Sequence, residues 1–171
     1  TDWDAPKKKL EQLETMCRFK TIVVDSITSI GDNMNLQISR IKGKSAYQIG
    51  GITVPTIEDY KAEASGFQQL MALLSSIRRF HKIHVIIIAH VVGQRSNNDG
   101  NKLTHHSRVI VTGGDKISAK VSSYAHEAYH FNIKPGAAES EVGSYTCLTA
   151  HTGNDYARTS LDLPQEIVFN D

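Results

Sequence analysis

The chain has 171 residues, 40% of them hydrophobic, and a formal net charge of +1 at pH 7. That length is enough to bury one real core and too short for two ordinary domains, so a single domain over residues 1–171 is expected; the balanced charge excludes a global basic field aimed at nucleic acid or an anionic membrane. Two cysteines without motif spacing, Cys17 and Cys147, build neither a disulfide framework nor a four-cysteine zinc site and fit a reducing, cytoplasmic setting. The longest apolar run, Val85 to Ala89, is far too short to span a bilayer, and no signal-peptide pattern is present. The chain opens at Thr1 rather than Met, as expected of a fragment or a processed product.

Asp4 and Pro6 suit a helix start, with Leu10, Leu13 and Met16 at helical spacing behind them. Phe19 to Val24 is an apolar, β-rich run leading straight into Asp25-Ser26, the pattern of a buried strand ending in a polar loop. Gly31 to Pro55 is rich in Gly, Ser, Lys and Asn and is expected to be a long connection. Thr56 and Asp59 form a capping-box start, and Phe67, Leu70, Met71, Leu74 and Ile77 trace one helical face through to Arg78-Arg79. His84 to Ala89 then predicts a second buried strand ending at His90; a helix between two strands makes a crossover, hence parallel pairing.

Gly93 to His106 offers only Leu103 to bury and is expected to be a mobile loop, with Gln94 to His105 its most displaced part. Ser107 to Val111 predicts a third parallel strand, punctuated by Gly113-Gly114, and Asp115 a cap for a short helix with Ile117, Val121 and Tyr124 inward. Tyr129, Phe131 and Ile133 alternate with polar residues, and Tyr145 to Ala150 follows a glycine-containing turn, so the end is an antiparallel hairpin. The fold class expected is α/β, a three-layer core with a mostly parallel sheet and a C-terminal antiparallel hairpin.

Two segments could carry chemistry. In Ile22-Val23-Val24-Asp25 a carboxylate stands at the carboxyl end of a buried strand, where it could hold a magnesium ion beside nucleotide phosphates or simply cap a loop. His126-Glu127-Ala128-Tyr129-His130 is a literal H-E-x-x-H, which on a helix would set two imidazoles on one face for zinc with the glutamate as general base, His151, Glu139 or Glu141 completing the set. Its second half alternates as a strand does, and Pro135-Gly136 follows at once, so His126 to His130 is expected to lie on or enter a strand. Gly43-Lys44-Ser45 imitates the tail of a phosphate-binding loop, but Ile38 stands where the first glycine should be and no strand precedes it.

Four segments together resemble the RecA-like P-loop ATPases, and more closely the AAA-type nucleotide-binding proteins of bacteriophage genomes within that group: Phe19 to Ile30 (FKTIVVDSITSI), Ile57 to Ala64 (IEDYKAEA), His84 to Val92 (HVIIIAHVV) and Tyr156 to Pro164 (YARTSLDLP). The resemblance implies ATP and magnesium as cofactors, Asp25 as the metal-holding Walker B aspartate with Ser26 beside it, His90 as sensor of the γ-phosphate, and Arg158 as a basic residue reaching the nucleotide of an adjacent subunit in a homo-oligomer. It also puts the two segments Gly31 to Pro55 and Gly93 to Arg108 where RecA-like recombinases contact single-stranded DNA, through Arg40, Lys42 and Lys44 in the first and Arg95 and Lys102 in the second. No G-x-x-x-x-G-K-[ST] occurs in the sequence. In the family that loop and the catalytic glutamate precede the Walker B strand, so both are expected upstream of Thr1, leaving this chain the C-terminal, inactive part of a core that is incomplete at its N-terminus. The function implied is ATP hydrolysis coupled to DNA recombination or replication; a non-catalytic interaction domain on an ATPase-like core is the alternative, and a zinc peptidase a more distant one.

Overall fold

The structure, a computed structural model, describes residues 3–43, 47–95, 103–109, 121–134, 143–152 and 157–169. Helix α1, Asp4–Thr15, buries Leu10 on its apolar stripe. Strand β1, Thr21–Asp25, follows. Helix α2, Ile27–Lys42, then takes the place of much of the connection expected from Gly31 onward. Gly31, Asn33, Asn35 and Ser39 are poor helix formers, which disguises it. Ile27, Gly31 and Met34, spaced by four and three residues, are buried, and burying that stripe outweighs weak intrinsic propensity. Ser26 caps the helix, its hydroxyl accepting the Ser29 backbone N–H at 3.2 Å.

The rest of the expected connection contains a hairpin of β2, Gln48–Ile49, and β3, Ile52–Thr53. Gly50 and Gly51 turn it at φ +59° and +80°, angles at which a side chain would be strained.

Helix α3, Ile57–His81, starts with the expected capping box of Thr56 and Asp59. The Asp59 carboxylate accepts the Thr56 backbone N–H at 2.6 Å and its hydroxyl at 2.8 Å, and it pairs with Lys42 at the end of α2. The Lys42 bond first, and the Thr56 backbone bond next, hold the Asp59 carboxyl down at about 2. Phe67, Leu70, Met71, Leu74 and Ile77 form the buried face of α3, which packs against α1, α2 and strand β4, His84–Ile88.

β4 pairs with β1 in parallel, Thr21 opposite His84 and Asp25 opposite Ile88, as the crossover predicts. One face of this pair carries buried Val24 and half-buried Ile22, Val85 and Ile87. Its other face leaves Val23, Ile86 and Ile88 55%, 50% and 41% exposed, although parallel strands ordinarily bury both faces.

Strand β5, Val91–Arg95, pairs with β6, Leu103–Val109, in a sheet of their own. This corrects two expectations. The ends of the Gly93 to His106 loop are strands, and the strand near Ser107 joins β5 instead of becoming a third parallel partner of β1 and β4. A β-rich run announces a strand without naming its partner, and here the preceding strand in sequence takes it. Residues 96–102, half of the expected mobile loop, lie outside the described residues, as do Gly113-Gly114 and the Asp115 cap. Tyr124 sits in a short 3-10 turn, Ser122–Tyr124.

The C-terminal hairpin is present as β7, His130–Lys134, antiparallel to β8, Ser144–Leu148. A strand missed in the sequence, β9, Glu166–Phe169, extends it on the far side of β8. Phe131 and Phe169 stack with ring centroids 6.4 Å apart, on the face that includes Cys147, whose burial pushes its thiol up. The chain thus divides into two compact units, one carrying α1 through β4 and the other β5 through β9. Among the described residues no helix is long and apolar enough to cross a membrane.

Candidate functional site

The register Asp25 opposite Ile88 ends both parallel strands at one carboxyl edge, and His90 follows two residues beyond β4. The edge is built by strand ends and by the first turn of α2. Alternation puts Asp25 on the same face as Val23 and Thr21, the open face of the pair. Its carboxylate is exposed, and among the described residues none bonds to it or pairs with it. Next to it Ser26 is buried, and its hydroxyl is occupied by the cap to Ser29 and by the Ser29 hydroxyl at 3.1 Å. The two neighbours therefore divide the work: Ser26 shapes the start of the helix, and Asp25 presents a hard oxygen donor.

His90 is exposed, and its backbone N–H donates to the Thr28 hydroxyl at 3.3 Å. That bond ties the end of β4 to the first turn of α2, so Asp25, Thr28 and His90 share one piece of structure. Thr28 was not singled out in the sequence; its only signal was its position three residues past the strand-end carboxylate.

The remaining sequence candidates lie elsewhere. Arg40 is exposed in the last turn of α2, and Lys42 is engaged, pairing with Asp59 and donating to the Thr56 hydroxyl at 3.2 Å. Both stand on a helix, not on the flexible loop expected there. Arg95 ends β5. Lys44 and Lys102 lie outside the described residues. Arg158 belongs to the second unit, where it bridges Ala128 in antiparallel fashion.

H-E-x-x-H is not helical. Ala128 lies in that bridge and His130 opens β7, so the two imidazoles are not set on successive turns of one helix as zinc would require. Among the described residues no group of three metal-ligating side chains assembles. Glu127, which would be the general base, accepts the Ser160 backbone N–H at 3.1 Å and the Tyr129 hydroxyl at 3.3 Å, and also bonds the Ser160 hydroxyl. The Ser160 hydroxyl first, then that of Thr159, hold its carboxyl at about 2, far too acidic for a base working near neutrality.

An α/β unit with a parallel strand pair and polar side chains gathered at its carboxyl edge has the class architecture of proteins that bind ligands at such edges. Residues 1–161 match the family model for an AAA domain, and the chain belongs to that family. The family is one of P-loop-type, nucleotide-binding ATPases, which use a nucleotide and ordinarily magnesium. No curated protein and no solved structure matches the chain.

Proposed function

We propose that the chain is the Walker B-bearing, C-terminal part of a RecA-like core, one domain over residues 1–171, in a protein that hydrolyses ATP with magnesium while acting on DNA in phage-type recombination or replication. The observation that carries this is the Asp25 carboxylate, exposed and without a partner among the described residues, at the carboxyl edge of a parallel pair in a chain of the AAA family. A carboxylate already spent on a cap or an ion pair, as Asp59 is, would not fit magnesium; Asp25 fits it. When bound, the ion supplies charge neutralisation for the phosphates. The chain's own residues hold and orient: Asp25 offers the ligand oxygen, Ser26 fixes the helix start behind it, and His90 stands where it can feel a terminal phosphate and pass a displacement to α2 through Thr28.

The open apolar face of β1 and β4 supports an incomplete core, because Val23, Ile86 and Ile88 await a covering layer that a phosphate-loop strand and helix upstream would bring. Arg40, exposed at the end of α2, is the described basic side chain that best supports contact with single-stranded DNA; Arg158 supports a homo-oligomer in which it faces a neighbour's nucleotide. The test is magnesium-dependent ATP hydrolysis by this chain and by the protein extended upstream through a phosphate loop. Turnover in the extended protein and none in the chain alone is expected, because one carboxylate does not replace the loop's N–H groups and lysine. Robust turnover by the chain alone overturns the proposal.

A further inference from the structure

Two segments of the second unit, Ala125 to Tyr129 and Arg158 to Leu161, are laced together across 33 residues of chain. Ala128 donates its backbone N–H to the Arg158 carbonyl at 2.7 Å and accepts the Arg158 N–H at 2.8 Å. Immediately before that bridge, Glu127 accepts the Ser160 backbone N–H on both carboxylate oxygens, at 3.2 and 3.1 Å, and the Ser160 hydroxyl as well. Immediately after it, the Tyr129 hydroxyl reaches both Glu127 at 3.3 Å and the Thr159 hydroxyl at 3.5 Å. The bonds thus fall at both ends of the Arg158–Ser160 segment, the Ala128 bridge at Arg158 and the Glu127 carboxylate at Ser160.

We propose that Glu127 is a positioning residue: its carboxylate brackets the Arg158–Ser160 segment so that the Arg158 guanidinium is held out, charged and uncompensated, toward the nucleotide phosphates of a neighbouring copy. This rests on the reading above, in which Arg158 serves an adjacent subunit.

The bracket explains two features at once. Arg158 is exposed, and among the described residues its guanidinium has a single partner, the Ala125 carbonyl, reached through Nη2. A guanidinium carries five N–H donors, so one anchor sets its direction while the others stay open to an anion. The nearby carboxylate is spent on neutral donors. No ion pair joins Glu127 to Arg158 among the described residues, whereas a direct pair would cancel the charge a phosphate must meet. Fixing the segment before association also removes ordering cost from the encounter. The H-E-x-x-H resemblance is then incidental: the glutamate serves Ser160, two residues beyond the arginine.

Steady-state ATP hydrolysis in the protein extended upstream, using Arg158→Ala, Glu127→Ala, Glu127→Gln, Ser160→Ala and the double variant Glu127→Ala/Arg158→Ala, tests the idea. Arg158→Ala should lower kcat by roughly a thousandfold, the scale of an arginine supplied across an interface. Glu127→Ala should lower kcat by roughly a hundredfold, the scale of a displaced reacting group, with KM within about threefold of the parent. The double variant should be no slower than Arg158→Ala, and Glu127→Gln, which keeps an acceptor for Ser160, should recover most of the loss. Ser160→Ala removes one donor while keeping the carboxylate and should fall between the parent and Glu127→Ala. Parent-like turnover in Arg158→Ala removes the role of the arginine and the proposal with it. A crippled Arg158→Ala beside a fully active Glu127→Ala overturns the bracket alone. In the chain as it stands, amide hydrogen exchange at Ser160 should quicken in Glu127→Ala and Ser160→Ala and stay slow in Glu127→Gln; unchanged protection in the alanine variants also overturns it.

Discussion

Asp25 and Glu127 are both acidic residues beside strands, and their surroundings separate them. Asp25 stands exposed at the end of β1 with no partner among the described residues, whereas Glu127 is wrapped by the Ser160 amide and hydroxyl and by the Tyr129 hydroxyl. Donors aimed at a carboxylate stabilise its charged form and fix its neighbours, and they also remove it from service as a ligand or a base. An unengaged carboxylate contributes nothing of that kind to the fold and keeps its oxygens for something that arrives later. The contrast separates a carboxylate with no partner among the described residues from one engaged in the fold, and it runs against the motifs, since H-E-x-x-H looks the more chemical of the two in sequence.

The sharpest break in this comparison comes from Asp25→Ala in the protein extended upstream. On the proposed role of Asp25, turnover should fall by at least about a hundredfold, the scale expected when a ligand to a catalytic metal is removed. Stability should move by no more than about 0.5 kcal/mol, as for an exposed residue outside any network. Turnover assays and urea denaturation of the same preparation check both halves. Retained activity would end the assignment of Asp25; a large loss of stability would mean that the carboxylate is structural after all.

Leu70→Ala sets the opposite extreme. Leu70 is 1% exposed on the core face of α3, and removing its branched end leaves a cavity costing about 2–5 kcal/mol. Chemical denaturation should show the shifted midpoint. At a temperature where the variant is still folded, nucleotide turnover in the extended protein should persist, because Leu70 takes no part in the carboxyl edge.

Acid destabilisation should trace to the engaged carboxylates, which hold their charge longest in the folded state. Asp59 and Glu127 are each held at about 2, below their ordinary values of 3.8 and 4.5. A folded value below the unfolded one means the stabilisation is complete above the unfolded value and is lost as pH falls through the folded one. Between about pH 5 and 2 the melting temperature should therefore fall, and Glu127→Gln should flatten its share of that fall while leaving the curve above pH 5 nearly parallel to the parent. An identical acid slope in the variant would show that the Ser160 and Tyr129 bonds do not act on a charged carboxylate.

Much of this was legible in the sequence. The α3 stripe from Phe67 to Ile77 carried a period that burial explains, the β1, β4, β7 and β8 runs were legible from their β-rich composition and alternation although Phe131, Ile133 and Tyr145 remain exposed, and a crossover of that kind forces parallel pairing. α2 was hidden because glycine and asparagines mask a helix whose stability comes from packing Ile27 and Met34, not from propensity. The partner of β6 was hidden because apolar period says which residues face a core and not which edge a strand joins. At the carboxyl edge Asp25 and His90 could be read from strand ends, but the Glu127–Ser160 bracket could not: it joins residues 33 apart, and polar residues that meet only through tertiary folding leave no local spacing to read.

The smallest effect belongs to the crossing of α2 and α3, which holds the helix whose first turn carries Thr28 behind the carboxyl edge. A Cβ built on Gly66 would lie 3.0 Å from the Met34 Sδ and 3.4 Å from its Cε. In the interior of α3 glycine costs about 1 kcal/mol relative to alanine, so Gly66→Ala gains that much in helix propensity. The opposing term is the Met34 contact. Its atoms are the far end of an unbranched thioether that changes rotamer easily, so the contact relaxes by a few tenths of an ångström instead of forcing the helices apart. Overpacking of a rigid neighbour would cost about 1–3 kcal/mol and reverse the sign. Gly66→Ala is therefore expected to raise stability slightly, by less than about 1 kcal/mol, in urea denaturation, and Gly66→Leu, which cannot be absorbed by one methionine, to lower it. If the alanine variant is instead clearly destabilised, Met34 is locked, and the glycine is there to let two helices meet closely. Nucleotide turnover in the extended protein would then decide whether that close crossing also serves the edge: a loss in Gly66→Ala with Asp25 intact would mean that the architecture of the first unit and its exposed carboxylate are coupled after all.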